Sequence, residues 1–341
     1  MSGFPESTQS LDAWAGAHVE GYAGPSRAIK YPTGQSNPTY RLETAGGAYV
    51  MRCKPPGKLL KSAHMVEREF RVLRALASVS YPAPRALALC EDESVAGSVF
   101  YLMAHVDGRI FWDPALPEQT NDERTAIYDS MNAGLAALHS IDVPKAGLAD
   151  YGKPGNYFAR QTQRWSEQYR ASETVTVPDM DRLIDWLAAN MPPDDGRVSL
   201  VHGDFRIDNM MFAHDSARLL AVLDWELSTL GHPFADLAYQ CMQWRLPNVG
   251  EMRGLDGIDR AATGLPSDEA YVAAYCRRMG LDGVPHWPFL IAFSFFRIAA
   301  ILQGVYKRAL DGNASNPERG VKMGAAVPLM ARLAMAETGK A

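Results

Sequence analysis

The chain has 341 residues, of which 47% are hydrophobic and 21% charged, with a formal net charge of -5. That length buries a full core in one large domain or two lobes. The acidic balance argues against a nucleic-acid partner, which selects for a basic face.

From the amino terminus, the start Met1-Ser-Gly-Phe-Pro-Glu-Ser7 has no basic segment followed by an apolar core, so no signal peptide is expected. Residues 39–43 and 48–54 alternate apolar and polar, with Gly46-Gly47 between them as a hairpin turn. A helix follows over 62–78, with Val66, Phe70, Leu73 and Ala77 on one face, and it stops before Tyr81-Pro-Ala-Pro84. Residues 87–90 and 99–105 read as a second strand pair around a loop at 91–98. After Asp107-Gly108 the pattern becomes helical, over 122–139, 156–172, 179–190, 267–280, 286–310 and 317–338. The reading is therefore α+β. Residues 1–106 form a small antiparallel-sheet lobe with one helix, and 107–341 form a mainly helical lobe. A ligand pocket is expected in the cleft between two such lobes. The apolar stretch at 289–303 contains Arg297 and reads as a buried helix, and no membrane-spanning run is expected. Four cysteines (Cys53, Cys90, Cys241 and Cys276) stand far apart with no C-x-x-C pair. That pattern points to reduced thiols in a cytoplasmic protein.

Chemistry concentrates in Leu200-Val-His-Gly-Asp-Phe-Arg-Ile-Asp-Asn-Met-Met-Phe212 and Val222-Leu-Asp-Trp-Glu226. Asp204 is followed by Asn209 five positions later and by Asp224 fifteen further on. Phosphoryl transfer from ATP needs one carboxylate to orient an attacking hydroxyl and accept its proton, and two oxygen donors to hold magnesium against the phosphates. The runs 200–202 and 219–223 read as buried strands that would fix both ends of the loop on a rigid sheet.

At these residues the chain resembles the aminoglycoside phosphotransferase family, the small-molecule branch of the protein-kinase-like fold. His202-Gly203-Asp204 resembles the kinase His-Arg-Asp, and Leu223-Asp224-Trp225-Glu226 stands where kinases carry Asp-Phe-Gly. The resemblance runs from Gly34 to the last helices. It implies a two-lobed protein-kinase-like fold that uses ATP and Mg2+, with Asp204 as catalytic base and Asn209 and Asp224 as metal ligands.

On the nucleotide side, the loop containing Gly34, Ser36 and Asn37 offers backbone N–H groups and small side chains to phosphates. Val50, Arg52 and Lys54 share one strand face, with Val50 set to cover adenine. Arg52 stands where the family carries its phosphate-pairing lysine, which is a departure from the pattern, and Lys54 on the same face is the other candidate. Glu69, at the edge of the helix stripe, is expected to pair with Arg52, while Glu67 faces outward. By the resemblance, main-chain groups from Ala104 to Val106 bind the adenine edge, and His105 is a polar residue at a strand end.

On the acceptor side, Arg206 either touches substrate, screens the acids or is a structural charge. Asp208 caps the loop, His202 supports it, and Asp236 caps the next helix and holds the loop. The segment 154–169, with Arg160 and Arg164, together with 49–57, is similar to the kinase-like domains fused to acyl-CoA dehydrogenases. That implies a hydroxylated small-molecule acceptor such as a hydroxyacyl-CoA, bound with help from Arg160 and Arg164, and a functional link to an acyl-CoA dehydrogenase. The stripe Tyr157, Gln161, Trp165 and Gln168 on the same helix reads as core packing. No dinucleotide fingerprint is present. A rival reading, a kinase-like nucleotide-binding or regulatory protein with little turnover, rests on Arg52 alone.

Overall fold

The computed structural model describes residues 8–31, 37–55, 65–249, 252–313 and 316–339. The chain divides into two compact units. The first comprises Met1–Ile110, Pro144–Leu148 and Asn209–Leu227, and the second Phe111–Val143, Ala149–Asp208 and Ser228–Ala341.

The first unit is built on α1 (Gln9–His18), β1 (Arg27–Lys30), β2 (Thr39–Thr44), β3 (Gly47–Cys53), α2 (Val66–Ser78), β4 (Ala86–Cys90), α3 (Glu93–Ala96) and β5 (Phe100–Ala104). Its antiparallel sheet runs β1-β2-β3-β5-β4. Alternation splits β3 into two faces. Met51 and Cys53 join Leu11 and Ala15 of α1 and Phe100 and Leu102 of β5 in one buried cluster. The opposite face carries Val50 and Arg52, and register sets Arg52 beside Tyr101. The expected helix at 62–78 is described from Val66 on, and its buried stripe is Val66, Glu69, Val72, Leu73, Ala75 and Leu76. Ala77 is exposed and Phe70 only partly buried, so the face is rotated from the expected one because a carboxylate, not an apolar side chain, sits at its centre. In this unit two helices went unread. α1 buries only Leu11 and Ala15, too few apolar positions for a periodic signal. α3 falls in the expected loop at 91–98 and is a single turn, opened by the Asp92 side chain and closed by Gly97.

The second unit holds α4 (Asn121–His139), α5 (Tyr157–Ser172), α6 (Pro178–Ala189), α7 (Phe234–Trp244), α8 (Arg260–Thr263), α9 (Asp268–Met279), α10 (Trp287–Leu310), α11 (Pro317–Gly324) and α12 (Val327–Glu337). The single helix expected over 317–338 is two, parted after Gly324 with Pro328 opening the second. α10 packs against α5, α6, α7, α11 and α12. It has the length and apolarity to cross a membrane, with mean hydropathy 1.7, yet 72% of that window is buried inside the protein. A helix surrounded by other helices is hydrophobic all round for that reason. The runs at 200–202 and 219–223 do not share one sheet. Ser199–Val201 pairs with Thr229–Gly231, and Leu219–Val222 pairs with Met210–Phe212, each as a separate two-stranded ladder. All four cysteines are buried and unbridged.

Candidate active site

In the first unit, Arg52 Nε lies 2.8 Å from Glu69 Oε2. Its Nη2 lies 2.6 Å from Asp224 Oδ1 and 3.3 Å from Glu226 Oε2. Lys54 pairs with Glu67 instead. The planar guanidinium fork serves several carboxylates at once, which an ammonium point charge cannot. Glu69 is 2% exposed, and the Tyr101 hydroxyl donates to its Oε2 at 3.2 Å. One cation therefore stands among three acids. Burial, reinforced by Asp224 and Glu226 and opposed by Arg52, pushes the Glu69 carboxyl up to about 8. Burial works against the Arg52 charge, but Glu69 and Asp224 outweigh it and keep the guanidinium protonated.

Asn209 and Asp224 are brought to the same end of the Met210–Val222 pairing, where Leu223 N–H donates to the Asn209 carbonyl at 2.8 Å. Asp224 adopts φ +63°, a left-handed conformation uncommon outside glycine and concentrated at functional sites. Oxygens of Glu69, Asp224 and Glu226 lie within 4.8 Å of one another, a donor set suited to a hard divalent cation. Glu226 carried no role in the sequence reading. Its one signal was its place two residues after Asp224.

Of the expected nucleotide loop, Gly34 and Ser36 lie outside the described residues. Asn37 is 1% exposed and its carbonyl accepts from the Thr39 hydroxyl at 3.1 Å. Val50 is buried, opposite Arg41 on one side and Met103 on the other. Ala104 N–H is committed to the Arg85 carbonyl at 2.9 Å, which removes it as an adenine donor. Val106 is half-buried beyond the strand end and donates no backbone hydrogen bond among the described residues.

In the second unit, the loop after Val201 turns at Gly203, whose φ of +84° a side chain would strain. Asp236, 1% exposed, accepts from His202 N–H at 2.6 Å and Gly203 N–H at 2.8 Å. Burial raises the Asp236 carboxyl, but His139, His202 and the Gly203 N–H outweigh it and hold it below its ordinary value. The cap position of α7 belongs to Pro233. Asp236 in the first turn holds the loop instead of capping the helix. His202 is fully buried, and its Nδ1 accepts from Asp204 N–H at 3.1 Å, a supporting role. Both Asp204 oxygens are held. Tyr239 donates its hydroxyl to Oδ1 at 2.5 Å, and Arg206 Nε lies 3.3 Å from Oδ2. The other end of Arg206 reaches Asp208 at 3.2 Å, so Arg206 bridges the two acids. Burial and the Asp204 charge raise the Tyr239 pKa well above its ordinary value, which keeps that hydroxyl a donor. Tyr239 was invisible in the sequence reading because nothing in the spacing marks a residue on the following helix as a partner of the loop.

On α5, Tyr157 and Trp165 are buried, and the Trp165 indole donates to Gln161 at 3.1 Å, so the aromatic stripe is core. Arg160 turns back to the carbonyls of Lys153 and Pro154. Arg164 is exposed, stacked 5.3 Å over the Trp165 ring.

A sequence profile of the "Phosphotransferase enzyme family" matches residues 28–280. "Acyl-CoA dehydrogenase family member 10" of Mus musculus is 50% identical over 294 residues, 86% of this chain and 27% of that protein. "Acyl-CoA dehydrogenase family member 11" of Rattus norvegicus is 44% identical over 336 residues, 97% of this chain and 42% of that protein. The chain thus spans between about a quarter and two fifths of the length of these relatives. Among solved structures, one from Ralstonia eutropha JMP134, described provisionally as an aminoglycoside phosphotransferase, is 48% identical with TM-score 0.88 and covers 99% of both chains. A thermostable mutant of aminoglycoside phosphotransferase APH(4)-Ia, in ternary complex with ADP and hygromycin B, shares the fold at TM-score 0.62 and 15% identity, covering 96% of this chain and 98% of that one. The profile covers most of the chain, and the chain belongs to the phosphotransferase enzyme family.

Proposed function

We propose that this protein transfers the γ-phosphate of ATP to a hydroxyl of a small acyl compound, with hydroxyacyl-CoA as the preferred class. The observation that carries the reading is Asp204, a carboxylate with 19% side-chain exposure gripped by Tyr239 and Arg206 on a loop pinned by Asp236. Held in this way, the carboxylate is fixed before substrate arrives, and such preorganisation is what a general base needs.

In this reading the acceptor oxygen attacks the γ-phosphorus, the bond to the β-phosphate oxygen breaks, ADP leaves, and the acceptor proton passes to Asp204. Asp224 and Asn209, with Glu226, would hold magnesium, which would supply positive charge against the phosphates. Arg52 is the cation available to the phosphates, and Glu69 and Tyr101 fix its direction. An acyl acceptor is supported by identities of 44–50% to proteins named as acyl-CoA dehydrogenase family members.

The test is ADP release from Mg-ATP with 3- and 4-hydroxyacyl-CoA chains against kanamycin-like compounds at matched concentration and salt. Turnover on the acyl compounds alone supports the reading. Turnover on an aminoglycoside alone overturns the acceptor class. Nucleotide binding with no turnover on any acceptor favours a kinase-like binding protein.

A further inference from the structure

Arg297 stands in the middle of α10, the most apolar helix of the chain, and only 6% of it is exposed. Its guanidinium lies 5.6 Å over the Tyr239 ring, and the Tyr239 hydroxyl is the group that holds Asp204. Tyr157 of α5 feels the same positive charge. Among the described residues Arg297 has no hydrogen bond and no ion pair, and its nitrogens are absent from the side-chain atoms sealed from solvent without a partner. Arg245, in the same unit, has both Asp268 and Glu337. Asp236 also acts on Tyr157, but its oxygens accept the N–H groups of His202 and Gly203. A cation withdrawn from water needs an anion or a strong acceptor, and stacking on a ring offsets only part of that cost.

We propose that Arg297 receives the acyl oxygens of the acceptor, as a free carboxylate or as a thioester carbonyl, while the acceptor hydroxyl meets Asp204. This rests on the phosphotransferase reading above. The guanidinium lies over the Tyr239 ring and Asp204 at its hydroxyl, so a compound touching both groups passes Tyr239 and carries its hydroxyl a few carbons from the acyl carbon. A neutral polyol has nothing to offer Arg297, and a polyamine is repelled by it. Arg297 then sets specificity, where the sequence reading had looked to Arg160 and Arg164, one turned to its own loop and the other exposed.

The experiment compares wild type, R297M and R297K on three acceptors: a 4-hydroxy acid, its CoA thioester and the matching diol without an acyl group. ADP release is measured, and acceptor-induced thermal shift is measured without ATP. In R297M the KM for both acyl compounds is expected to rise roughly 10- to 100-fold, the scale of a charge-assisted hydrogen bond, with the KM for ATP and turnover of the diol unchanged. R297K should recover part of the free-acid affinity. The larger effect on the acid or on the thioester identifies the natural source of the acyl oxygen. An unchanged acyl KM, or an equal fall in kcat on acyl compound and diol, would make Arg297 a packing residue and overturn the proposal. Should wild type release no ADP with any acceptor, the phosphotransferase reading fails while the thermal-shift arm still decides Arg297. Saturable stabilisation by the hydroxy acid that R297M loses supports the site, and equal or absent stabilisation in both proteins overturns it. Where R297M does not fold, R297Q, which keeps a polar group over Tyr239, carries the same comparison.

Discussion

In the proposed reaction two carboxylates divide the chemistry, and their surroundings differ. Asp204 accepts from a tyrosine hydroxyl and lies beside one arginine, and these two contacts fix its direction. Asp224 lies beside two further acids and one guanidinium, a cluster that attracts a divalent cation. Asp204→Asn is expected to lower turnover by on the order of 10²–10⁴-fold while ATP affinity, measured by calorimetry, stays within about twofold. A variant that keeps most of its turnover removes Asp204 from the role of base. Asp224→Ala is expected to abolish the magnesium dependence of ATP binding, since the cation loses a charged oxygen ligand. Titration of ATP affinity against magnesium checks this, and an unchanged slope would assign the metal elsewhere. Arg52 and Glu69 were legible as a pair because Glu69 falls at the edge of the helix stripe and Arg52 holds the family's lysine position, while the strand face admits Lys54 equally. Arg52's further contacts to Asp224 and Glu226 were not, since they cross more than 170 residues of sequence.

At the scale of elements, the loop from His202 to Asn209 depends on α7, through Asp236. The Asp236 carboxyl is held below its ordinary value of 3.8, so its contribution to stability is fully present above that pH. It is lost as pH falls through the lower folded-state value. Asp236→Asn is expected to cost on the order of 3–5 kcal/mol at neutral pH, the scale for breaking a buried charge network, and to flatten the loss of stability below pH 3.8. Urea unfolding of both proteins from neutral pH into that acid range measures it, and a parallel acid slope in the two would contradict the assignment. The long helices could be read because their apolar periodicity persists over several turns. α1 and α3 could not, the first burying two side chains and the second a single turn. The rotated face of α2 has a different cause, because hydrophobic periodicity has no way to place a charged residue such as Glu69 at the centre of a buried stripe.

Across the whole molecule, the order of motifs carried the family and the fold class, because His202 to Asn209 and Asp224 are local signals. The acceptor side was less legible. In the second unit Tyr239 comes to Asp204 from a helix and Arg297 to Tyr239 from the core helix α10, in the first unit Glu226 comes to Arg52 from a turn, and folding alone brings these partners together. The relatives in which this chain covers 27–42% of the length carry acyl-CoA dehydrogenase names. We propose that a phosphoryl group moves from ATP to an acyl-borne hydroxyl under the control of Asp204. The most direct measurement is mass spectrometry of a 4-hydroxyacyl-CoA incubated with Mg-ATP and either wild type or Asp204→Asn. The account predicts a phosphorylated acyl-CoA matched by ADP with the wild type and almost none with the variant. Unmodified acyl-CoA after prolonged incubation with folded, ATP-binding wild type, or equal product from both proteins, would contradict it.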